Sequence, residues 1–307
     1  MSLGNFPNGD EEISLLKFIS KYQYLDSKDV KKFFSTEKYY KKRITNLVSK
    51  KYLKRTKSHH LILDELGIEF AELFNFEYNK LNRNVKYMPR LFYISKLAAF
   101  YYKCPTIKFI PSFSMKDKEE FTITSRKFIG VLEINGIEYL TYHITEEHND
   151  KYIRLIIYDI QKEKKYKNII ILVNDKNRIK VNQFTFGMNQ VLIVEDTEEN
   201  REKLKYLNNI NWYSVIKERY KRFNIFLSDY SFCEYTDYKN KYINTFYFFD
   251  TEKVNRIIYF LKENKNRNAD IICNSKVNEM LIKELPNCNY FVVDLENYID
   301  KEKNVYD

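Results

Sequence analysis

Among residues 28–57 the chain carries twelve Lys and Arg side chains against two carboxylates, Asp29 and Glu37. That local surplus of +10 equals the formal surplus of all 307 residues, so the positive field has one address. Such a stretch cannot be buried whole. It can bury only the apolar residues threaded through it: Val30, Phe33, Phe34, Tyr40, Ile44, Leu47, Val48 and Leu53. Ile44, Leu47 and Val48 stand at i, i+3 and i+4, the spacing of one inner helix face. Lys41, Lys42, Arg43 and Lys50 fall largely on its other sides. The pattern predicts a short helix over 27–34, capped by Asp26 or Ser27, and a second over 36–50, capped by Ser35 or Thr36. Two short helices joined by so few residues read as a helix-turn-helix with 36–50 as its recognition helix.

The flanks extend the motif. Asn8-Gly9-Asp10 leads into a helix over 10–22, with Ile13, Leu16, Ile19 and Ser20 on its inner side, widened by Leu15 and Phe18. After Lys51, Leu53 and the run Leu61-Ile62-Leu63 bracket a polar basic turn, as the strands of a hairpin do. The hairpin is then a wing. Asp64-Glu65-Leu66-Gly67 opens a further helix that runs to 79. His59-His60 is read as a strand start and not as a metal pair, because neighbouring strand residues point to opposite faces.

A localised basic patch on such a motif is the footprint of a protein that binds a polyanion, here double-stranded DNA. Thr36, Lys38, Tyr39, Lys42, Arg43 and Asn46 are expected to meet the major groove, with Lys41 and Lys50 beside them. Arg43 and Asn46 are the residues best suited to base edges, since Arg pairs with guanine and Asn with adenine. Lys54, Arg55 and Lys57 on the wing are expected to meet phosphates or the minor groove.

Composition narrows the remaining classes. An apolar content of 44% supports a packed core. The chain is rich in Lys, Asn, Ile, Tyr and Phe throughout, so the clustering of charge carries more weight than its total. Cys104, Cys233, Cys273 and Cys288 form no C-x-x-C pair and read as free thiols of a reducing cytosol. The start lacks an apolar signal region, and no run approaches the ~18 apolar residues of a membrane span. A soluble, cytoplasmic protein is expected, with no membrane partner. The six glycines build neither G-x-x-x-x-G-K-[ST] nor G-x-G-x-x-G, and no G-x-S-x-G occurs. His143 and His148 have no Cys or Ser partner by spacing, and the acids at Glu195-Asp196 and Asp294 read as ordinary strand ends. No catalytic residue, metal or cofactor is assigned.

From residue 81 the pattern changes. Residues 89–103 read as an apolar connecting helix, ended by Cys104-Pro105. A strand over 106–110 follows. Asn135-Gly136 between alternating runs at 128–134 and 137–144 is the strongest short hairpin signal, a type I′ turn. Strands are expected at 153–158, 168–173, 190–194, 244–249, 271–273 and 290–293, and helices at 197–206, 212–222, 251–264 and 276–284. Beyond residue 240 the alternation of strand and helix predicts a parallel, Rossmann-like sheet. The expected fold is α/β (α+β overall): a winged helix-turn-helix over 1–80, a connecting helix over 81–103, and a mixed α/β domain over 104–307 with a sub-boundary near 225.

The run RITNLVSKKYLKRTKSHHLILDELGIEFAELF resembles the end of a winged-helix domain. There a recognition helix finishes in L-x-x-x-G-(Y/L)-(L/I), and a strand leading into a helix follows. Leu47, Tyr52-Leu53, Leu61, Leu63 and Gly67 occupy the matching positions, and Lys51 stands where Gly is common. The arrangement resembles the amino-terminal domain of the replication-relaxation family of plasmids and other mobile elements; PadR-like and MarR-like regulators share much of it. The segment around Ser125, Arg126 and Gly130, with its hairpin, resembles that family's second domain. The resemblance implies a degenerate restriction-endonuclease-like fold, whose nuclease members hold Mg²⁺ with Asp and then Glu-x-Lys on adjacent strands. Here the second hairpin strand reads Leu140-Thr141-Tyr142-His143-Ile144, and neither Glu133 nor Glu138 has a Lys two residues on. The resemblance implies a non-catalytic, sequence-specific DNA-binding protein of a plasmid, phage or conjugative element, acting in replication, transfer or transcription control. A homodimer, with a replication or transfer protein as further partner, is expected. The rival expectations are a metal-dependent nuclease anchored by the winged helix, and a protein–protein adaptor.

Overall fold

The computed structural model describes residues 7, 9–36, 39–115, 127–185, 191–221, 225–237, 241–264 and 267–299. The chain is mixed α+β and divides into two compact units, Met1–Cys104 and Pro105–Asp307.

In the first unit α1 (Asp10–Tyr22) has the expected bounds. Asp10, Glu11 and Glu12 fill its first turn, where carboxylates complement the helix dipole, and Leu15, Leu16, Phe18 and Ile19 are buried. The strand β1 (Leu25–Asp26) follows. The helix expected over 27–34 is instead a single 3₁₀ turn, Val30–Phe33. The Asp26 carboxylate accepts from Lys28 N at 2.9 Å and its carbonyl from Asp29 N at 2.9 Å, which uses these residues in a turn before a helix can start. The second helix, α2 (Tyr40–Ser49), is shorter than 36–50 and is not capped by Ser35 or Thr36. Ser35 donates its backbone N–H to Glu11 of α1 at 2.6 Å. Beyond α2 come β2 (Leu53–Arg55), β3 (His60–Leu63) and α3 (Glu65–Leu73). The three strands are antiparallel in the order β1-β3-β2, the arrangement of a winged helix.

Both α2 and α3 end in Schellman motifs. At α2, Tyr52 N donates to Leu47 O at 2.9 Å and Lys51 N to Val48 O at 3.0 Å. At α3, Phe76 N donates to Ala71 O at 2.8 Å, which stops that helix well before residue 79. The pivot residues are Lys51 (φ +59°) and Asn75 (φ +51°). Asn adopts this left-handed region readily; Lys adopts it only at a steric cost. That is the physical reason glycine suits position 51. Lys51→Gly is expected to raise stability by about 1 kcal/mol in urea denaturation. The exposed Lys51–Glu65 pair it removes, 3.5 Å apart, contributes little.

The expected connecting helix is α4 (Met88–Phe100), and it belongs to the first unit. It packs on β1 and α1, burying Leu91, Ile94, Leu97, Ala98 and Ala99, and the Ser95 hydroxyl donates to the Tyr24 carbonyl.

The second unit opens with an antiparallel meander, β4 (Ile107–Pro111), β5 (Gly130–Ile134) and β6 (Ile137–Ile144). Asn135 (φ +50°) and Gly136 (φ +79°) form the I′ turn that Asn-Gly predicts. The parallel strands β7 (Asn168–Val173) and β8 (Val191–Glu195) follow through α5 (Asp150–Lys162) and α6 (Asp175–Thr185). Thus 153–158 is helix and not strand. Ile153, Ile156, Ile157 and Ile160 are all buried at i, i+3, i+4 and i+7, and Asn149 caps the helix by accepting from Tyr152 N. Next come α7 (Glu198–Leu204) and α8 (Trp212–Arg219), then β9 (Ile225–Leu227), β10 (Tyr235–Asp237) and β11 (Tyr242–Phe246). β12 (Phe249–Asp250), α9 (Thr251–Glu263), β13 (Ala269–Cys273), α10 (Ser275–Glu284) and β14 (Asn289–Val292) complete the unit.

Its two sheets have the orders β12-β8-β7-β6-β5-β4 and β14-β13-β11-β10-β9. β11, β13 and β14 are parallel, as expected beyond residue 240. The second sheet begins at Ile225, yet β12 returns to pair with β8 of the first. One core runs through both, from Leu140, Ile171 and Ile193 to Phe249, Ile257 and Ile271. No described helix is long and apolar enough to cross a membrane. The segment with Ser125 and Arg126 lies outside the described residues.

Candidate nucleic-acid interface

Burial of Ile44 and Leu47 orients α2 and leaves its opposite side to solvent. The exposed residues there are Lys41, Lys42, Thr45, Asn46 and Ser49, at i, i+1, i+4, i+5 and i+8. This spacing makes one continuous polar stripe. The Thr45 hydroxyl donates back to Lys41 O at 2.9 Å and the Ser49 hydroxyl to Asn46 O at 2.9 Å, so both oxygens are held against the helix while the Asn46 amide projects from an exposed position. Thr36 and Tyr39 are exposed just before α2, Tyr39 to 57%. Lys50 is half-buried at the helix end. Lys38 lies outside the described residues.

Only residues 50–52 separate α2 from the wing. There β2 and β3 pair with Leu53 opposite Leu63 and Arg55 opposite Leu61. The wing turn is closed by Thr56 N to His60 O at 2.8 Å, with His59 at φ +61°. Lys54, Arg55 and Lys57 are exposed on it, and among the described residues they form no ion pair; the same holds for Lys41, Lys42 and Lys50. Ion pairs in water contribute little, but cations without acidic partners are the ones available to a polyanion. His60 starts β3 as expected, and its ring stacks on Phe92 with centroids 3.7 Å apart.

Arg43 is placed elsewhere than the base-reading role assigned to it. Its guanidinium pairs with Glu11, lies 3.7 Å from Glu12 Oε1, and sits over the Phe34 ring at 5.5 Å. It is half-buried. The Ser35 backbone and hydroxyl, and then Arg43, hold the Glu11 carboxyl below its usual range. Arg43 therefore braces α2 against the first turn of α1. Sequence spacing gave no sign of this, because the acids stand a whole helix away in the chain. The periodicity that marks Ile44 and Leu47 as inward also places Thr45 and Ser49 on the outer stripe, beside the expected Lys41, Lys42 and Asn46.

In the second unit the strand-end acids are tied down. Asp196, just after β8, accepts from Arg201 Nε at 2.8 Å and faces His143 Nε2 of β6 at 3.3 Å. Burial pushes its carboxyl up, but the hydrogen bonds from His143 and Arg201 and the Arg201 charge outweigh this and hold it well below the usual range. A depressed folded-state pKa gives stability that is present above the unfolded value of about 3.9 and lost as pH falls through the folded value. Asp196→Asn is expected to cost about 3 kcal/mol at pH 7, because it removes the carboxylate charge that Arg201 Nε and His143 Nε2 face in a buried site. In urea denaturation the gap from the parent should narrow below about pH 4. Asp294 accepts from Glu296 N at 3.2 Å, capping a 3₁₀ turn at Leu295–Tyr298. Glu133 stands opposite Glu138 across the hairpin and lies 3.7 Å from Lys108 Nζ, in a surface charge ladder. Among the described residues no three His, Cys, Asp or Glu side chains gather as a metal ion requires. No family model matches the chain, and no curated protein or solved structure matches it either.

Proposed function

We propose that the chain is a sequence-specific double-stranded DNA-binding protein that seats α2 in the major groove and its wing on the backbone. The reading rests on one observation above all. The stripe Lys41, Lys42, Thr45, Asn46 and Ser49 is exposed, and it adjoins three wing cations that pair with no acid among the described residues. A B-DNA major groove admits such a helix, and its amide and ammonium groups match base edges and phosphates. Within this reading Asn46 reads adenine, Lys41 and Lys42 meet phosphate or guanine, and Lys54, Arg55 and Lys57 position the protein through phosphates. Arg43 is the brace that sets the angle of α2.

The resemblance of the 43–74 region to replication-relaxation proteins supports a setting on a plasmid, phage or conjugative element, in replication, transfer or transcription control. In that setting the α/β unit supplies self-association or recruits a replication or transfer protein, and the protein is not an enzyme. Titration of labelled duplex from the gene's own neighbourhood, against random duplex at several salt concentrations, tests the reading. Binding that is tighter to the cognate duplex and falls steeply with salt supports it. Absence of binding to any duplex at low salt sinks it and favours an adaptor.

A further inference from the structure

A half-open cavity of about 520 Å³ lies in the second unit, where the carboxyl end of β11 meets the amino ends of β6 and β7. This is within the size range of small-molecule sites. Its walls are aromatic: Tyr139, Phe246, Tyr247 and Phe248 are buried, and Trp212 at the start of α8 is half-buried. The Tyr247 hydroxyl has no hydrogen-bond partner among the described residues. One wall also carries the carboxylate of Asp250, whose Oδ1 accepts from Glu252 N at 3.0 Å and Lys253 N at 3.2 Å and so caps α9.

Two ion pairs stand beside Asp250, Lys253–Glu234 and Arg256–Glu252. Lys253, also on the wall, directs Nζ to Glu234 Oε1 at 2.6 Å and Thr245 O at 3.0 Å and lies 5.6 Å from the Phe246 ring centroid, and Glu252 pairs with Arg256. Among the described residues joined by these contacts, Glu234, Asp250 and Glu252 are acids and Lys253 and Arg256 are bases. Burial pushes the Asp250 carboxyl up, against the opposing pull of the Lys253 charge and backbone N–H. Aromatic faces attract cations through their quadrupoles, and more so out of water. The helix end at α9 is already filled by Asp250, so it is closed to an anion.

We propose that this cavity binds a flat aromatic cation of the amidine or aminopyridinium type, stacked between the aromatic walls with its charged end toward Asp250. The site is independent of the winged helix, and nothing in the DNA-binding reading requires it. Trp212 is the single tryptophan of the chain, so its fluorescence reports on the cavity alone.

Full-length protein would be titrated with benzamidine and with benzoate, which has the same shape and opposite charge. Trp212 fluorescence and calorimetry would be followed together. Benzamidine is expected to bind saturably and at least about tenfold more tightly than benzoate. Asp250→Asn keeps an oxygen at the helix cap and removes the charge, so it should melt like the parent and bind benzamidine about tenfold more weakly. Asn208→Phe, at the exposed rim, fills the mouth without touching the cap and should abolish binding. Equal binding of the two probes, absence of saturation below about 10 mM, or affinity unchanged in Asn208→Phe would each overturn the proposal.

Discussion

Gly67→Ala is expected to lower the thermal midpoint of the amino-terminal unit by about 15 °C, a loss of about 3 kcal/mol. A β-carbon at position 67 would stand 2.1 Å from the Tyr52 carbonyl oxygen, 3.1 Å from its carbonyl carbon and 3.2 Å from Leu63 Cδ2. The first two are backbone atoms, so no rotamer change relieves the clash. Nor can the carbonyl swing aside. It accepts from Asp64 N at 3.1 Å, and Tyr52 itself closes the Schellman motif that ends α2. The only relief is to push α3 away from the wing, opening the contact between the buried rings of Tyr52 and Phe70, whose centroids are 5.9 Å apart. Calorimetric melting of the parent and the variant checks this. A shift below about 2 °C would mean that α3 and the start of the wing are not so closely apposed.

Neutralising the wing should change DNA binding in a different way from altering the outer face of α2. Lys54→Ala/Arg55→Ala/Lys57→Ala removes three phosphate-seeking cations. Each released counter-ion contributes about 0.9 to the slope of log affinity against log salt, so the slope should fall by about 3, with affinity lowered on the order of a hundredfold for every sequence alike. Asn46→Ala leaves the charge intact. It should cost about 1–3 kcal/mol on the cognate duplex alone, with the salt slope unchanged and preference relaxed at one adenine position. Fluorescence anisotropy on cognate and random duplexes separates the two patterns. Arg43 is unsuited to such a series: its loss would remove the cation shared by Glu11 and Glu12 and shift α2, so weakened binding would report on packing and not on readout.

The parts of the fold governed by local rules were legible. The bounds of α1 followed from its apolar stripe and acidic first turn, and the 135–136 turn from Asn-Gly alone. Helix ends set by tertiary or turn chemistry were not. The 3₁₀ turn at Val30–Phe33 depends on how the Asp26 side chain is used, and the stop of α3 depends on Asn75 adopting a left-handed conformation. Residues 153–158 are rich in Ile and so read as strand, although Ile153, Ile156, Ile157 and Ile160 have helical spacing; composition misled where periodicity would have served.

The candidate interface shows the same division. Lys41, Lys42 and Asn46 are exposed by the periodicity that buries Ile44 and Leu47. The bracing of Arg43 by Glu11 and Glu12, and the linkage of His143 to Asp196, join residues far apart in sequence, and no spacing rule reaches them. Lys51 lies between these cases. Its departure from the usual glycine was visible in the sequence; the +59° φ angle supplies the reason.

The most direct test of the DNA-binding account is anisotropy of the full-length protein on DNA from its own gene neighbourhood, against random duplex, from about 50 to 200 mM salt, beside Lys42→Ala/Asn46→Ala. The account predicts tighter binding to the cognate duplex, a steep loss with salt, and collapse of the cognate preference in the double variant. Equal, weak binding to every duplex, unchanged by the two substitutions, would contradict it and move the search for function to the α/β unit.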